Sequence, residues 1–453
     1  MDIRDIAREF DAASTGEAMH RLVAELYPIC RSITGEGFRE TLRALRRFVD
    51  IGIREVPTGT KAFDWTVPKE WNIRDAWIKD ASGRRVVDFR DSSLHIMSYS
   101  TPVHATMTLA ELKEHLHTIP EKPDLIPYRT SYYRENWGFC LSQNALAGLA
   151  DGLYEVCIDS TLADGSLTYG EYYLPGEMPD EVLVSCHACH PSMCNDNLSG
   201  VVLATFAAKL LTGAARRYSY RFLFIPGAIG SITWLSLNEE KAAGIKHGLV
   251  AACVGDGGPM TYKKSRRGDA EIDRAVLHVL KHRGAPYAVR EFSPYGYDER
   301  QYCSPGFNLP VGSLTRTPHG AFPEYHTSAD NLEFVRGPFL ADALGAYLDV
   351  FHVLEANRRY RSLNPMCEPQ LGRRGLYSAI GGRTDSPAQE MALLWVLNQA
   401  DGEHTLLDIA ERAGLPFDAT DGAARLLRAH ELIEECAPVE PAAALHGADA
   451  GGA

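Results

Sequence analysis

The residues of this sequence best suited to chemistry are histidines and carboxylates that come directly after strand-like segments. The segment SCHACHPSMCNDNLSG (185–200) has His187 at the end of an apolar run and Asp196 in the polar loop after it. Asp256 ends a second apolar run, GLVAACVGD, and His326 lies in the polar segment FPEYHTSADN. Imidazole and carboxylate are the usual non-thiolate ligands of zinc, and ligands bind beyond the carboxyl ends of strands in α/β sheets. The joint pattern therefore predicts a zinc site.

Two histidines compete for the first ligand position. His187 directly ends the strand and is favoured, whereas His190 lies three residues later, and extended residues three apart point to opposite faces. Both can bind if the chain turns after His187. If Asp196 bridges two ions, His187 and Asp256 complete one site and His326 contributes to the other. We therefore predict one or two zinc ions, which would activate water and polarise a carbonyl group.

Other chemistries fit these segments less well. Cys186 and Cys189 form a CxxC pair, which could bind a metal or act in redox chemistry, but the chain has no second CxxC. The absence of GxSxG and HExxH motifs argues against a serine hydrolase and excludes the common zincin arrangement. The basic run KKSRRG (263–268) is either a solvated loop or a clamp for an anionic substrate group, with Arg266 as the candidate residue.

The segments around these residues predict an α/β core. Between about residues 150 and 355, strand-like apolar runs alternate with helical patterns. The strand-like runs include EVLVSCH, YRFLFIPGA and GLVAACVGD, and the helical runs include LSGVVLATFAAKLL and SITWLSLNEE. Strands and helices that alternate with short connections predict an α/β fold with a mixed, largely parallel sheet flanked by helices.

Changes in composition predict further domains. Short β-type runs between turn residues indicate a small inserted β-rich domain, and helical runs near the C-terminus resemble a winged helix-turn-helix domain. The tail is rich in Ala, Pro and Gly, which is typical of disorder. The predicted regions are the core at 1–54 and 126–380, the inserted domain at 55–125, the winged helix-like domain at 381–436 and the disordered tail at 437–453.

The overall charge argues against a nucleic-acid partner. The chain of 453 residues has a net charge of -13, whereas phosphate recognition needs clustered Lys and Arg. Residues 390–436 contain three Arg and ten acidic residues, so DNA binding by the winged helix is not expected. No apolar run approaches the roughly 20 residues of a membrane span, and the N-terminus lacks signal-peptide features. We therefore expect a cytoplasmic protein with mostly reduced cysteines and no membrane partner.

Taken together, these segments carry a family resemblance. The core resembles the zinc aminopeptidases of the bacterial leucyl aminopeptidase type. The whole chain resembles a less characterised aminopeptidase-like family with an inserted β-domain and a C-terminal winged helix. The resemblance spans roughly residues 10–435, and its motifs are IPYRTSYYRENWGFCLS, SCHACHPSMCNDNLSG, CVGDGGPMTYKKSRRGDAEIDRAV, YDERQYCSPGFNLPVGS and FPEYHTSADNLEFV.

The resemblance implies a ligand set. His187 or His190, together with Asp196 and Asp256, matches the ligands of one metal. Asp196 matches the bridging carboxylate, and His326 matches the imidazole of the second metal.

The resemblance also implies a Glu pair after the next strand, one member acting as general base and the other as ligand. This chain has IPGAIGS there, with Gly227 and Ala228 and no carboxylate. Either another carboxylate acts as the base, or the site holds one metal or has lost peptidase activity. Glu324, two residues before His326, is the predicted base, and Asp298 and Glu299 are alternatives.

The predicted function is that of a metal-dependent exopeptidase or amidohydrolase acting on a peptide or peptide-like metabolite. Asp298, Glu299, Tyr325 and Arg266 are the predicted substrate-binding residues. One alternative is a catalytically degenerate metal-binding or peptide-binding protein on a peptidase core, which the missing Glu pair would favour. Another is a transcriptional regulator acting through the winged helix. The sequence leaves a homo-oligomer open.

Overall fold

The structure, a computed structural model, describes residues 2–376 and 386–437, without the side chains of 386–388. Nearly all of the predicted tail at 437–453 lies outside the described residues. The chain forms two compact units, Met1–Glu355 and Ala356–Ala453. The winged helix-like domain was expected to begin at residue 381, so the second unit starts some way before that predicted boundary.

The strands are β1 (Gly52–Pro57), β2 (Lys61–Ala62), β3 (Trp65–Thr66), β4 (Glu70–Lys79), β5 (Arg85–Asp88), β6 (Val103–Thr108), β7 (Leu116–His117), β8 (Phe139–Cys140), β9 (Leu153–Ala163), β10 (Ser166–Leu174), β11 (Glu181–His187), β12 (Ser219–Ile225), β13 (Ile245–Ala251), β14 (Met260–Lys263), β15 (Tyr287–Arg290), β16 (Val311–Thr315), β17 (Arg359–Ser362), β18 (Asp401–Thr405) and β19 (Ile433–Glu435). The helices are α1 (Ile3–Glu9), α2 (Ala12–Leu26), α3 (Glu36–Leu45), α4 (Leu109–Leu112), α5 (Gln143–Ala147), α6 (Ser199–Leu211), α7 (Ile229–Leu237), α8 (Glu239–Ala242), α9 (Glu271–His282), α10 (Glu299–Tyr302), α11 (Gly337–Ala356), α12 (Ser386–Gln399), α13 (Leu406–Ala413) and α14 (Phe417–Ala429).

The first unit is built on an eight-stranded sheet in the order β1-β10-β12-β11-β13-β16-β14-β15. Its centre, β12-β11-β13-β16, is parallel, and antiparallel pairs flank it on both sides. Every residue of β11 and β12 is buried, as expected for strands covered on both faces. The predicted α/β fold with a mixed, largely parallel sheet flanked by helices is confirmed. The carboxyl ends of β11 and β13 carry the segments predicted to do chemistry.

A second, four-stranded sheet has the order β5-β4-β9-β6. Three of its strands fall in the predicted insertion at 55–125, but β9 lies beyond it and pairs with both β4 and β6. The inserted sheet therefore needs a strand from the segment assigned to the core. Along β9 the buried residues alternate with less buried ones, which is typical of a sheet covered on one face only.

In its described residues, the second unit combines the α-helices α12, α13 and α14 with a three-stranded antiparallel sheet in the order β18-β17-β19. The predicted C-terminal winged helix is confirmed. Its central strand, β17, precedes the predicted boundary at 381 because this strand pairs with both β18 and β19 and so belongs to the same sheet.

In the part of the chain that the structure describes, no helix combines the length and the apolar character that crossing a membrane requires.

Candidate metal centre

Two histidines and one aspartate meet where β11 ends. His187 is the last residue of β11, and its Nε2 lies 2.8 Å from Oδ1 of Asp196. His190 comes next in the loop, with its Nε2 4.0 Å from Oδ2 of Asp196. One ligand atom from each of the three residues lies within 4.8 Å of the other two, so the group could hold a metal ion. The sequence left open whether His187 or His190 is the ligand. In the structure, both belong to the group that could hold a metal ion.

His326 contacts the other oxygen of Asp196. Its Nε2 lies 3.0 Å from Oδ2 of Asp196, and its ring stacks on Tyr325 at a centroid distance of 4.0 Å. The φ angle of His326 is +54°, in the left-handed region that costs a non-glycine residue free energy and recurs at functional sites. Tyr128 helps to hold this backbone, because its N–H donates to the carbonyl of His326 at 2.9 Å.

The segment that carries Asp196 is fixed by a carboxylate that the sequence did not single out. Both oxygens of Asp330 accept backbone N–H groups, from Asn195 at 2.5 Å and from Asp196 at 2.9 Å. Asn197 donates to the carbonyl groups of His187 and Ala251, tying the loop to the ends of β11 and β13. The only sequence signal for Asp330 is its place in the polar segment that also contains His326.

The loop carrying His190 is held by a buried arginine. Arg31 donates through Nε to the carbonyl of His190 at 3.0 Å and through Nη1 to the carbonyl of Leu26 at 2.6 Å. The ring of Tyr128 lies 5.1 Å from the rings of both His190 and His326. Contacts from distant parts of the chain thus set the positions of these two imidazoles.

Asp256, which the sequence predicts as a ligand, is not part of the group of His187, His190 and Asp196. Its Oδ1 accepts hydrogen bonds from the backbone of Gly258 and the hydroxyl of Thr317, and its Oδ2 accepts from Asn195 Nδ2 and from the backbone of Thr317. It is absent from the group of ligand atoms found among the described residues. Since both oxygens already have protein donors, Asp256 supports Asn195 and, through it, the segment that carries Asp196.

Asp196 and His190 have the charge states that metal binding requires, whereas the raised pKa of His187 favours a proton that a metal would have to displace. Burial opposes ionisation of Asp196, but His190, His187 and His326 outweigh it and hold its pKa well below the usual value. Burial lowers the pKa of His190 to about 3, so this imidazole is neutral near pH 7. Burial also acts to lower the pKa of His187, yet the carboxylate of Asp196 raises it overall. A neutral imidazole and an ionised carboxylate are the forms in which these side chains bind metals.

The cluster opens on a cavity of about 210 Å³. Gly227, where the resemblance implies a Glu, lies in its wall. A Cβ built on Gly227 would lie 3.1 Å from Cβ of His187 and 3.3 Å from Oδ2 of Asp298. The carboxylate of Asp298 therefore lies beside the space that a side chain at position 227 would enter.

Asp298 lies in the same cavity wall as the cluster. It is 1% exposed, and its Oδ1 accepts a hydrogen bond from the hydroxyl of Ser231 at 2.7 Å. Among the described residues, no group donates a hydrogen bond to its Oδ2. Burial raises the pKa of Asp298 to about 6.

Of the remaining predicted substrate-binding residues, Tyr325 lines the cavity, whereas Glu299 and Arg266 do not. Glu299 instead accepts from Lys263 Nζ at 2.8 Å, and Arg266 donates to the side chain of Asn308 at 3.0 Å. The side chain of Glu324 does not line the cavity, so its role as the base stays a prediction without geometric support.

The CxxC pair is buried. Burial raises the pKa of Cys189 to about 12 and holds that of Cys186 well above its usual value. Both are therefore thiols at neutral pH, whereas metal binding and thiol–disulfide exchange need thiolates. The geometry gives no support to a role for this pair in either chemistry.

Comparison with known proteins places the chain in a family. Residues 20–357 match the model of a domain of unknown function, DUF4910, and residues 358–435 match a winged helix-turn-helix model. The chain belongs to the DUF4910 family. A Clostridium acetobutylicum protein, named provisionally as a polysaccharide biosynthesis protein with an aminopeptidase-like domain, is 56% identical over 424 residues, which cover 94% of this chain and 98% of the relative.

This DUF4910 protein also resembles solved structures. A C. acetobutylicum protein classed provisionally as a peptidase has a TM-score of 0.90 at 54% identity, covering 96% of this chain and 98% of its own. A zinc aminopeptidase from Bacillus subtilis has a TM-score of 0.55 at 12% identity, covering 76% and 95%. The second likeness shows the fold alone. The aminopeptidase-like core that the sequence predicted is confirmed.

The donor set of the DUF4910 protein fits zinc. Catalytic zinc sites combine three protein ligands with one open position, and histidine and carboxylate are common among them. His187, His190 and Asp196 supply this number and type of donor beside an open cavity. Hydrogen bonds that Asp330 accepts and that Asn197 and Arg31 donate are of the kind that fixes metal ligands in orientation.

Proposed function

We propose that this protein is a zinc-dependent hydrolase that removes the N-terminal residue from a small peptide or a peptide-like metabolite. The observation that carries the proposal is the cluster of His187, His190 and Asp196 at the wall of a cavity of about 210 Å³. The fold, which resembles that of a zinc aminopeptidase, and a relative named for an aminopeptidase-like domain support the reaction class.

One zinc ion, held by His187, His190 and Asp196, is the stoichiometry that the geometry favours. When bound, such an ion polarises a carbonyl oxygen and lowers the pKa of water to about 7. A second ion would need further ligands, but both oxygens of Asp256 already accept protein hydrogen bonds and Gly227 has no side chain.

Asp298 is the proton acceptor in this proposal. Its Oδ2, the oxygen that does not accept the hydrogen bond from Ser231, lies beside the space that a Glu side chain at position 227 would enter. Asp298 takes a proton from the attacking water as the oxygen bonds to the carbonyl carbon, and returns it to the leaving nitrogen as the C–N bond breaks. The hydrogen bond from Ser231 orients the carboxylate while leaving Oδ2 free for this transfer.

Paired variants test the assignment. Asp298→Asn keeps the shape but removes the base, and we expect kcat on a dipeptide to fall by about 10²–10⁴-fold with zinc content unchanged. Glu324→Gln serves as the comparison, and we expect it to change kcat little. Zinc is measured by mass spectrometry on the same preparations. Loss of turnover in Glu324→Gln, with Asp298→Asn active, would assign the proton transfer to Glu324 instead.

A binding protein on a degenerate peptidase core is the second candidate function. The observation that favours it is the lack of a carboxylate at Gly227 combined with the engagement of Asp256 in protein hydrogen bonds. Zinc content does not separate the two functions, because both retain the cluster. Turnover of a peptide library by zinc-loaded protein does, since a binding protein would retain peptides without cleaving any of them.

We also propose a cytoplasmic location. All ten cysteines are free thiols, and several of them are buried. Long chains with many unpaired cysteines are typical of reducing compartments. Fractionation of cells that express the tagged protein tests this location.

A further inference from the structure

The cavity beside the histidine cluster also contains a guanidinium group. Arg300 belongs to the short helix α10, two residues after Asp298, and lines the same cavity as His187 and Asp196. A cation in this position was not among the residues that the sequence singled out, because nothing in the segment YDERQY separates Arg300 from an ordinary helix residue.

Among the described residues, Arg300 forms no contact ion pair with a carboxylate, although its positive charge acts on nearby Asp298 and opposes the rise in the pKa of that group. No ion pair within 4.0 Å and no side-chain hydrogen bond involves it, and its Nε is buried without an acceptor. Two other cations of the first unit have ion-pair partners, since Lys263 pairs with Glu299 and Arg316 pairs with Asp342 through Nη2, although the Nε of Arg316 also lacks an acceptor. A buried donor without an acceptor costs free energy, so such a group in a cavity wall suits an acceptor brought by a ligand.

We propose that Arg300 binds a carboxylate of the substrate. The planar guanidinium presents parallel N–H donors that match a carboxylate, which makes arginine the usual residue for this recognition. This inference rests on the proposed hydrolase function and narrows its substrate to a peptide-like compound with a carboxylate near the scissile bond.

The cavity sets the size of that substrate. Pockets for drug-sized ligands span roughly 300–1,000 Å³, and this one has about 210 Å³. A dipeptide-sized compound fits this volume better than a longer peptide. Tyr297 and Tyr325 lie in the wall with Arg300, and such aromatic surroundings reduce the screening of an ion pair by water.

Three probes test the inference on zinc-loaded, full-length protein. Leucylglycine has a C-terminal carboxylate, glutamylglycinamide has a side-chain carboxylate, and leucylglycinamide has neither. We expect kcat/KM for one of the first two to exceed that for leucylglycinamide by about 10- to 100-fold, the range of a charge-assisted hydrogen bond. The better probe identifies which carboxylate Arg300 binds, and equal values for all three overturn the inference.

Arginine variants show whether the preference belongs to this residue. Arg300→Gln is expected to abolish the preference, so that the ratio of kcat/KM for the preferred probe to kcat/KM for leucylglycinamide falls to about 1. Arg290→Gln is the matched control, because Arg290 is exposed and lies outside the cavity wall. If circular dichroism shows that Arg300→Gln is unfolded, Arg300→Met replaces it. A preference that survives the loss of the guanidinium overturns the inference.

A binding measurement separates this inference from the proposed function. Calorimetry compares reduced-bond analogues of the preferred probe and of leucylglycinamide, which cannot be hydrolysed. Tighter binding of the carboxylate analogue by the parent but not by Arg300→Gln supports the inference even if no peptide is cleaved. Cleavage of all probes with equal binding of both analogues retains the hydrolase function and overturns the carboxylate site.

Discussion

Asp196 is the residue on which the histidine cluster depends, because its two carboxylate oxygens contact different imidazoles. We expect Asp196→Ala to weaken zinc binding by more than the roughly 10–100-fold that loss of a supporting partner costs. Competition with a fluorescent chelator measures the affinity. Asp256→Asn is the comparison, and a larger loss of zinc affinity there than in Asp196→Ala would return Asp256 to the position of a direct ligand.

Substitutions at positions 227 and 298 test whether Asp298 replaces the missing Glu. The missing Glu at position 227 suggests that Gly227→Glu would raise turnover, but the new side chain would meet Asp298 and the Cβ of His187. We therefore expect Gly227→Glu alone to lower activity and to destabilise the fold by about 1–3 kcal/mol through overpacking. Gly227→Glu combined with Asp298→Ala removes this contact and should recover part of the lost turnover.

Gly227→Ala is the control for this pair, because it adds the Cβ without the carboxylate. Thermal unfolding measures stability and a dipeptide assay measures turnover for each variant. A single Gly227→Glu variant more active than the parent would mean that Asp298 does not occupy the place of the missing base.

Among the site residues, the sequence predicted the polar side chains at strand ends and missed those that approach from other parts of the chain. His187, Asp196 and His326 could be chosen because polar residues after buried strands meet at one edge of the sheet. Asp330 could not be chosen, because it contacts Asn195, more than 100 residues earlier in the chain. Arg300 could not be chosen, because it gains a possible role only from the cavity that the fold creates.

Asp256 shows the converse case. Its place after a buried strand predicted a ligand, yet the chain after it turns so that Gly258 and Thr317 donate to the carboxylate. Position after a strand brings a side chain to the correct edge of the sheet, but neighbouring donors decide which way its oxygens face.

At the scale of elements, the site depends on the irregular segment between β11 and α6. Residues Cys194–Leu198 interrupt regular helical geometry, and Asp196 and Asn197 have non-helical backbone angles. Asp330 holds this segment through the N–H groups of Asn195 and Asp196. The segment therefore takes its conformation from a distant loop as well as from its own residues, which is why its shape could not be predicted locally.

Asp330→Asn tests this support. The amide keeps the size of the side chain but replaces one acceptor oxygen by an NH₂ group that faces a backbone N–H. We expect zinc affinity to fall by about 10–100-fold, as for other residues that orient metal ligands, with the fold retained. Chelator competition gives the affinity and circular dichroism the fold. An affinity equal to the parent's would show that the segment holds its shape without Asp330.

The sequence indicated the fully buried strands of the core, but it did not indicate which sheet each strand joins. The runs at β11, β12 and β13 are continuous in apolar residues, and the sequence places them correctly. By contrast, β9 completes the inserted sheet from outside the predicted insertion, because pairing between distant strands leaves no trace in local composition.

At the scale of the whole molecule, the residues of the metal centre all belong to the first unit, Met1–Glu355. The second unit contains β17, whose partners β18 and β19 come later in the chain. A boundary at 380, which the sequence suggested, would separate this strand from both partners. The domain organisation therefore depends on strand pairing that spans roughly 75 residues, from β17 to β19.

Two truncations distinguish these boundaries. A chain ending at Asn357 keeps helix α11 whole, and we expect it to stay monodisperse and to bind zinc with the affinity of the full chain. A chain ending at residue 380 leaves β17 without its neighbours, and its unpaired backbone groups should promote association between copies. Size-exclusion chromatography compares the two, and chelator competition measures their zinc affinity. A chain ending at Asn357 that is folded but has lost zinc binding would show that the metal centre needs the winged helix unit, contrary to the residues that form it.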